Sequence, residues 1–270
     1  MYLCPICKKE LVKFDNSYKC ESKHSYDISS SGYVNLLNPG KMNNAKAGDS
    51  KEMVRARTSF FDCGAYEKIS MELCGIISSF ERNCIIDAGC GEGYYTHCIA
   101  GSFPNSTVLG FDMTKFGCEH GAKLAKRHGL NNVSYAVGNI FELPLKDESA
   151  DIITNVFAPV ANKEFWRVLK PGGHLIVASA GKRHLDGLKS IIYSDVYLNE
   201  EKVLEYDGFT LLETKNLCYT VTINGNITIK NLFTMTPYFH RTSIQDKHKL
   251  DNVEELNTTV EVNFSIYTKM

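Results

Sequence analysis

Asp87-Ala88-Gly89-Cys90-Gly91-Glu92-Gly93 follows the apolar run Cys84-Ile85-Ile86 and leads into a helix-compatible segment starting near Tyr94. Glycines at alternate positions let a tight turn pass close beneath a bulky ligand without Cβ collisions, and Asp87 at the strand end can accept hydrogen bonds. A dinucleotide-binding turn spaces its glycines as G-x-G-x-x-G to cradle a pyrophosphate. Here the third glycine, Gly93, arrives one residue early. The spacing therefore favours a pocket for S-adenosylmethionine over one for a nicotinamide dinucleotide.

Working outward from the turn, strand-like and helix-like segments alternate. Helical periodicity spans Tyr66 to Phe80, and strands are predicted near Cys84-Ile86, Thr107-Phe111, Val133-Val137, Asp151-Asn155 and His174-Ser179. Such alternation specifies a parallel sheet covered by helices on both faces, with ligands beyond the carboxyl ends of the strands. Asp87, Asp112, Asn139 and Asn155 fall at those ends. Asp112, nineteen residues beyond Gly93, stands where a carboxylate accepts from both ribose hydroxyls, or where it caps the next helix. Asn139 suits an adenine edge, although a turn asparagine looks the same. Lys170-Pro171-Gly172-Gly173 is a turn before the apolar strand His174-Leu175-Ile176-Val177, a recurrent mark of class I methyltransferases. Beyond residue 206, Leu217 to Ile223 and Val260 to Tyr267 read as antiparallel strands that finish the sheet.

The N-terminal part is of another kind. Cys4-Pro5-Ile6-Cys7 is followed after twelve residues by Cys20, and then by His24. Two close pairs of soft or borderline donors supply a zinc tetrahedron in a segment too short for its own apolar core, and four protein ligands leave no position for a catalytic water. The site reads as one structural Zn2+. Lys8, Lys9, Lys13, Lys19 and Lys23 with Phe14, Tyr18 and Tyr26 form a candidate RNA platform, cations for phosphate and rings for unpaired bases, unless the rings only pack around the metal. Residues 1 to 60 carry ten Lys/Arg against six Asp/Glu, while the whole chain of 270 residues has a net charge of −1, which argues against binding nucleic acid over the entire surface.

Residues 38 to 52 are polar and rich in turn formers and read as a linker. Asp49 or Ser50 can cap the following helix, whose Arg55 and Arg57 either close over the pocket or touch RNA. The expected organisation is a zinc-binding domain over 1–37, a linker and connecting helix over 38–65, and a methyltransferase domain over 66–270. No run of about 18 apolar residues is present, so no membrane span is expected. The N-terminus lacks the pattern of a secretory signal, and the isolated cysteines Cys74, Cys84 and Cys218 lie in apolar segments, so a cytoplasmic protein is expected.

With these residues in hand, the chain resembles the bacterial 23S rRNA guanine-N1 methyltransferases that modify the loop of hairpin 35. The resemblance spans nearly the whole chain and rests on the quartet Cys4, Cys7, Cys20 and His24; on Gly32-Tyr33-Val34-Asn35-Leu36-Leu37; on Gly48-Asp49-Ser50 with Glu52-Met53 and Ala56-Arg57; on Asp87 through His97; and on Gly181 with His184-Leu185. It implies an α/β, Rossmann-like, seven-stranded class I domain joined to a small zinc-binding RNA-recognition domain, and a homodimer. It also implies cofactor contacts at Tyr66, Tyr95, Thr96 and His184, the last of which would otherwise read as a loop residue. For the acceptor base the sequence offers Asn155 to hold its edge and Phe157 to stack on it, or else a turn asparagine and a core phenylalanine; no general base is evident. A methyltransferase for a small molecule and a non-catalytic RNA-binding protein are the competing readings.

Overall fold

The computed structural model describes residues 2–38, 48–195, 198–200 and 204–270; most of the expected linker, residues 39–47, lies outside them. The N-terminal residues form three short strands, β1 (Val12–Phe14), β2 (Ser17–Lys19) and β3 (Ser25–Asp27), paired antiparallel in a sheet of their own. A fourth strand, β4 (Tyr33–Asn35), leaves that sheet and pairs in parallel with β7 (Val133–Val137) of the main one. The main sheet therefore has eight strands, the expected seven plus β4 at its edge, in the order β10-β11-β9-β8-β5-β6-β7-β4. The N-terminal segment is thus joined to the body through β4 by backbone hydrogen bonds.

The centre of the sheet is β5 (Cys84–Ala88), β6 (Thr107–Asp112), β8 (Ala150–Val156) and β9 (Leu169–Ala180). β5 and β8 are buried at every residue, as strands covered on both faces must be, with Ile85-Ile86 and Ile152-Ile153 side by side at their centres. The chain runs outward from β5 to β6 and β7 on one side and returns to β8 and β9 on the other. The strand order reverses between β5 and β8, and in open α/β sheets the carboxyl ends at such a reversal are where a ligand crevice forms. The Lys170–Gly173 turn lies inside β9, looped out between Leu169, opposite Ala150, and His174, opposite Ile152. Long antiparallel strands β10 (Phe209–Asn224) and β11 (Glu255–Lys269) complete the sheet.

Helices α2 (Glu67–Ser78), α3 (Tyr94–Ser102), α4 (Lys115–Arg127), α5 (Asn162–Val168) and α6 (Asp186–Ile192) cover the faces. Helix α1 (Lys51–Phe61) is capped by Ser50, whose hydroxyl accepts from the Met53 backbone N–H, and it packs on α7 (Asn226–Thr234). Helix α7 and the single turns α8 (Tyr238–Arg241) and α9 (Ile244–Lys247) form an insertion between β10 and β11 that the sequence pattern does not announce. Among the described residues, no helix is long and apolar enough to cross a membrane.

Candidate cofactor pocket and metal centre

The glycine turn crosses the carboxyl ends of β5 and β6. The backbone N–H groups of Gly89 and Cys90 both donate to the Phe111 carbonyl, at 2.8 and 3.0 Å, and Gly91 N–H donates to Asp112 Oδ2 at 3.0 Å. Gly89, Gly91 and Gly93 have φ of 87°, 54° and 90°. Side chains are disfavoured in this left-handed region. At Gly89 the approach is also close, since a Cβ there would lie 2.6 Å from Ala158 Cβ, on the loop that follows β8. The turn and that loop thus form the two lips of the crevice.

Asp87 lies beneath the turn. It is buried and accepts from Thr96 Oγ1 at 2.5 Å and Thr154 Oγ1 at 3.1 Å, while burial pushes its carboxyl up to about 6. Asp87 and Thr96 therefore brace the start of α3 against β8. Asp112, at the rim, has each oxygen held by one backbone donor, Oδ1 by Thr114 N–H at 2.7 Å and Oδ2 by Gly91 N–H. Each oxygen keeps acceptor capacity for a ligand hydroxyl. The next β-strand end is joined to this rim, with Gly138 N–H donating to the Asp112 carbonyl. Asn139 Oδ1 accepts from Phe141 N–H at 3.0 Å and caps the short 3-10 helix Ile140–Glu142, so one of its two acceptor positions is used locally.

Across the crevice, His184 Nδ1 accepts from the Glu261 backbone N–H at 3.3 Å, which leaves Nε2 as the protonated nitrogen and the donor to Tyr66 Oη at 3.2 Å. Burial lowers the His184 imidazole to about 4, so it is neutral at ordinary pH. Tyr66 then keeps its own hydroxyl proton to offer elsewhere. Tyr95 packs on Phe61 at a ring separation of 5.9 Å, and its buried hydroxyl has no partner among the described residues.

Phe157 and Asn155 divide differently from the sequence expectation. Phe157 is 44% exposed, has φ of 52°, and its ring stands 5.4 Å from His184 and 6.5 Å from Tyr66. A non-glycine residue in that region is strained, and strain of this kind concentrates at ligand sites. Asn155 is fully buried; its amide donates to the Ala88 and Pro159 carbonyls at 3.0 and 3.1 Å, and its Oδ1 is closed off from solvent. Asn155 ties the two lips together through its amide nitrogen, while its Oδ1 is buried with no partner among the described residues.

The quartet Cys4, Cys7, Cys20 and His24 converges, with all four ligand atoms within 4.8 Å of one another. Cys4 Sγ and Cys20 Sγ each lie 3.4 Å from His24 Nδ1, and Cys7 Sγ lies 3.6 Å from Cys20 Sγ. Bonds of about 2.3 Å to sulfur and 2.0–2.1 Å to nitrogen around a tetrahedral zinc have edges of roughly 3.5–3.8 Å, so the donor set fits that ion. Each knuckle turns on a lysine with positive φ, Lys8 at 58° and Lys23 at 66°. Tyr26 Oη lies 3.2 Å from Cys4 Sγ and supplies an outer hydrogen bond to the thiolate. Tyr2 fastens this module to the body, its ring set edge-on to Tyr18 at 5.3 Å and to Phe111 at 6.0 Å.

Residues 81–255, which hold the glycine turn and both lips, match the family described as "Methyltransferase domain". The chain belongs to that methyltransferase family. Residues 2–44 match the zinc ribbon described as "RlmA, N-terminal". Among curated proteins, the "23S rRNA (guanine(748)-N(1))-methyltransferase" of Streptomyces fradiae is 34% identical over 188 residues, 67% of this chain and 64% of that protein. The chain therefore matches somewhat less than two thirds of that relative's length. A "Demethylmenaquinone methyltransferase" of Bacillus cytotoxicus is 28% identical over 155 residues, 54% of this chain and 64% of that protein. The solved structure of the YcgJ protein from Bacillus subtilis superposes with a TM-score of 0.49 and 20% identity, covering 75% of this chain and 98% of that one.

Proposed function

We propose that this chain transfers a methyl group from S-adenosylmethionine to N1 of a guanine in 23S rRNA, in the loop of hairpin 35, and that it works as a homodimer in the cytoplasm. The observation that carries the reading is the joining, in one body, of a methyltransferase domain and a four-donor cluster in a segment that matches the ribbon described as "RlmA, N-terminal", beside relatives named as 23S rRNA (guanine-N1) methyltransferases. A small-molecule methyltransferase has no use for the ribbon, and the ribbon's lysines and rings suit unpaired RNA.

In this reading Asp112 accepts from the ribose hydroxyls, the loop of Gly138 and Asn139 borders the adenine, and Gly89, Gly91 and Gly93 pass beneath the ligand. Tyr66, Tyr95 and His184 line the methionine end, where the partnerless Tyr95 hydroxyl fits a polar ligand group. Asp87 and Thr96 act from below by holding the turn. The bound cofactor supplies an electrophilic methyl group. The protein's contribution is alignment of the reactants, with Phe157 stacking on a guanine presented away from its neighbours. Cys4, Cys7, Cys20 and His24 hold one structural zinc ion.

Base-on-aromatic stacking is worth about 1–3 kcal/mol, so Phe157→Ala is expected to lower kcat/KM for RNA by roughly 5- to 150-fold. Cofactor affinity by calorimetry should stay near wild type; a fall in cofactor affinity alone, with RNA kinetics intact, would remove Phe157 from the acceptor side. For the reaction itself, the test is primer extension across 23S rRNA from cells with and without the gene. A gene-dependent stop in the hairpin 35 loop is expected, because N1-methylguanine blocks reverse transcription. Identical traces in both strains would refute the rRNA assignment and turn attention to small-molecule acceptors.

A further inference from the structure

Helix α1 reaches the glycine turn through a buried ion cluster that the pocket described above does not use. Arg57 Nη2 lies 2.5 Å from Asp49 Oδ2, and Arg57 Nη1 lies 3.2 Å from Glu92 Oε2. The Glu92 side chain is 5% exposed and the Arg57 side chain 20%. Glu92 directly follows Gly91, and a Cβ on Gly91 would lie 3.1 Å from Arg57 Nη1, so the guanidinium is seated against the turn.

The other arm returns to the same place. The Asp49 backbone N–H donates to Thr114 Oγ1 at 3.1 Å, and Thr114 N–H donates to Asp112 Oδ1, whose partner oxygen accepts from Gly91. Arg57, Glu92, Gly91, Asp112, Thr114 and Asp49 thus form a closed ring. It encloses the glycine turn and the ribose-facing carboxylate, the two features that must keep a fixed separation for an adenosyl group to enter.

We infer that Arg57 is a positioning residue of the cofactor site, holding the glycine turn and Asp112 in their binding geometry through Glu92 and Asp49. The inference rests on the methyl-transfer reading. A direct role for Arg57 in gripping an RNA phosphate is disfavoured, because its charge is already matched by two carboxylates. Lysine is a poor substitute at such a site, since it cannot span two carboxylates with a planar fork. Removing Arg57 alone strands a buried carboxylate, so a loss of stability by itself would say little.

The experiment therefore uses the full-length, metal-loaded protein as wild type, Arg57→Lys, Arg57→Met and the double variant Arg57→Met with Glu92→Gln. It reads S-adenosylmethionine Kd by calorimetry, KM and kcat, and ligand-free Tm. Arg57→Met should raise Kd and the cofactor KM together by about 10- to 100-fold while kcat stays within about threefold, and Arg57→Lys should recover part of that loss. The double variant should regain Tm without regaining affinity, which a purely structural brace would not do. A double variant with wild-type Tm and wild-type Kd overturns the inference, as does a folded Arg57→Met with unchanged Kd. If wild type itself fails to bind the cofactor, the methyl-transfer reading falls first, and that result is distinct from either of these.

Discussion

Purified protein is expected to carry close to one zinc per chain, and Cys20→Ser is expected to lose it and to unfold the N-terminal module. Strands β1 to β3 have three residues each, and none of their nine positions is fully buried, so the module has almost no apolar core of its own. Its cohesion comes instead from the Cys4, Cys7, Cys20 and His24 cluster and from its attachment to the body, where β4 pairs with β7 and Tyr2, Leu11, Val34 and Leu36 are buried with Phe111. Structural zinc in such small ribbons contributes about 10–16 kcal/mol of apparent binding free energy, far more than three short hairpin strands can supply. Metal analysis should therefore fall from near stoichiometric to near zero in Cys20→Ser, and limited proteolysis should cut within residues 1–37. Because Phe111 precedes Asp112, a loosened Tyr2 should also weaken cofactor binding. A metal-free wild type that resists proteolysis would end the claim.

Gly89→Val is expected to abolish measurable cofactor binding. The position has φ of 87°, where a branched side chain costs about 1–3 kcal/mol in strain alone. Its first added carbon also meets Ala158 Cβ at 2.6 Å, which forces apart the two lips that Asn155 ties together. With about 1–3 kcal/mol more for the overpacking, a total of about 2–6 kcal/mol corresponds to a Tm drop of roughly 4–24 °C for a chain of this size class. Most of the protein should therefore remain folded at 25 °C while the crevice is filled and misshapen. Calorimetry should detect no S-adenosylmethionine binding, with circular dichroism close to wild type. Undiminished affinity would show that the ligand binds elsewhere.

The features legible in the sequence are those encoded over short separations. The alternate glycines, the strand before them and the paired knuckles of the ribbon each act within a few residues, so spacing alone carries their chemistry. Ser50 as the cap of α1 belongs to the same class. The contacts that were not legible join distant residues: Tyr66 meets His184 across 118 positions, and Arg57 meets Glu92 across 35. Helix α7 was hidden for another reason. Its stretch Asn226-Ile227-Thr228-Ile229 is rich in β-branched residues and follows a strand, and it becomes helical because Ile229 and Leu232 are fully buried as α7 packs against α1. Asn155 and Phe157 show the limit for single residues, since neighbours in sequence take opposite roles. One is sealed beneath the crevice and the other is held, strained, at its mouth.

By itself, then, the sequence determined the parallel α/β class, the glycine turn from Asp87 to Gly93 and the paired Cys/His donors from Cys4 to His24, because backbone conformation and donor spacing are local properties. Only the tertiary structure decided that β4 extends the main sheet, that Arg57 faces the turn, and that His184 is a neutral donor to Tyr66. Those outcomes depend on which elements the strand reversal between β5 and β8 brings together, and on the burial that results.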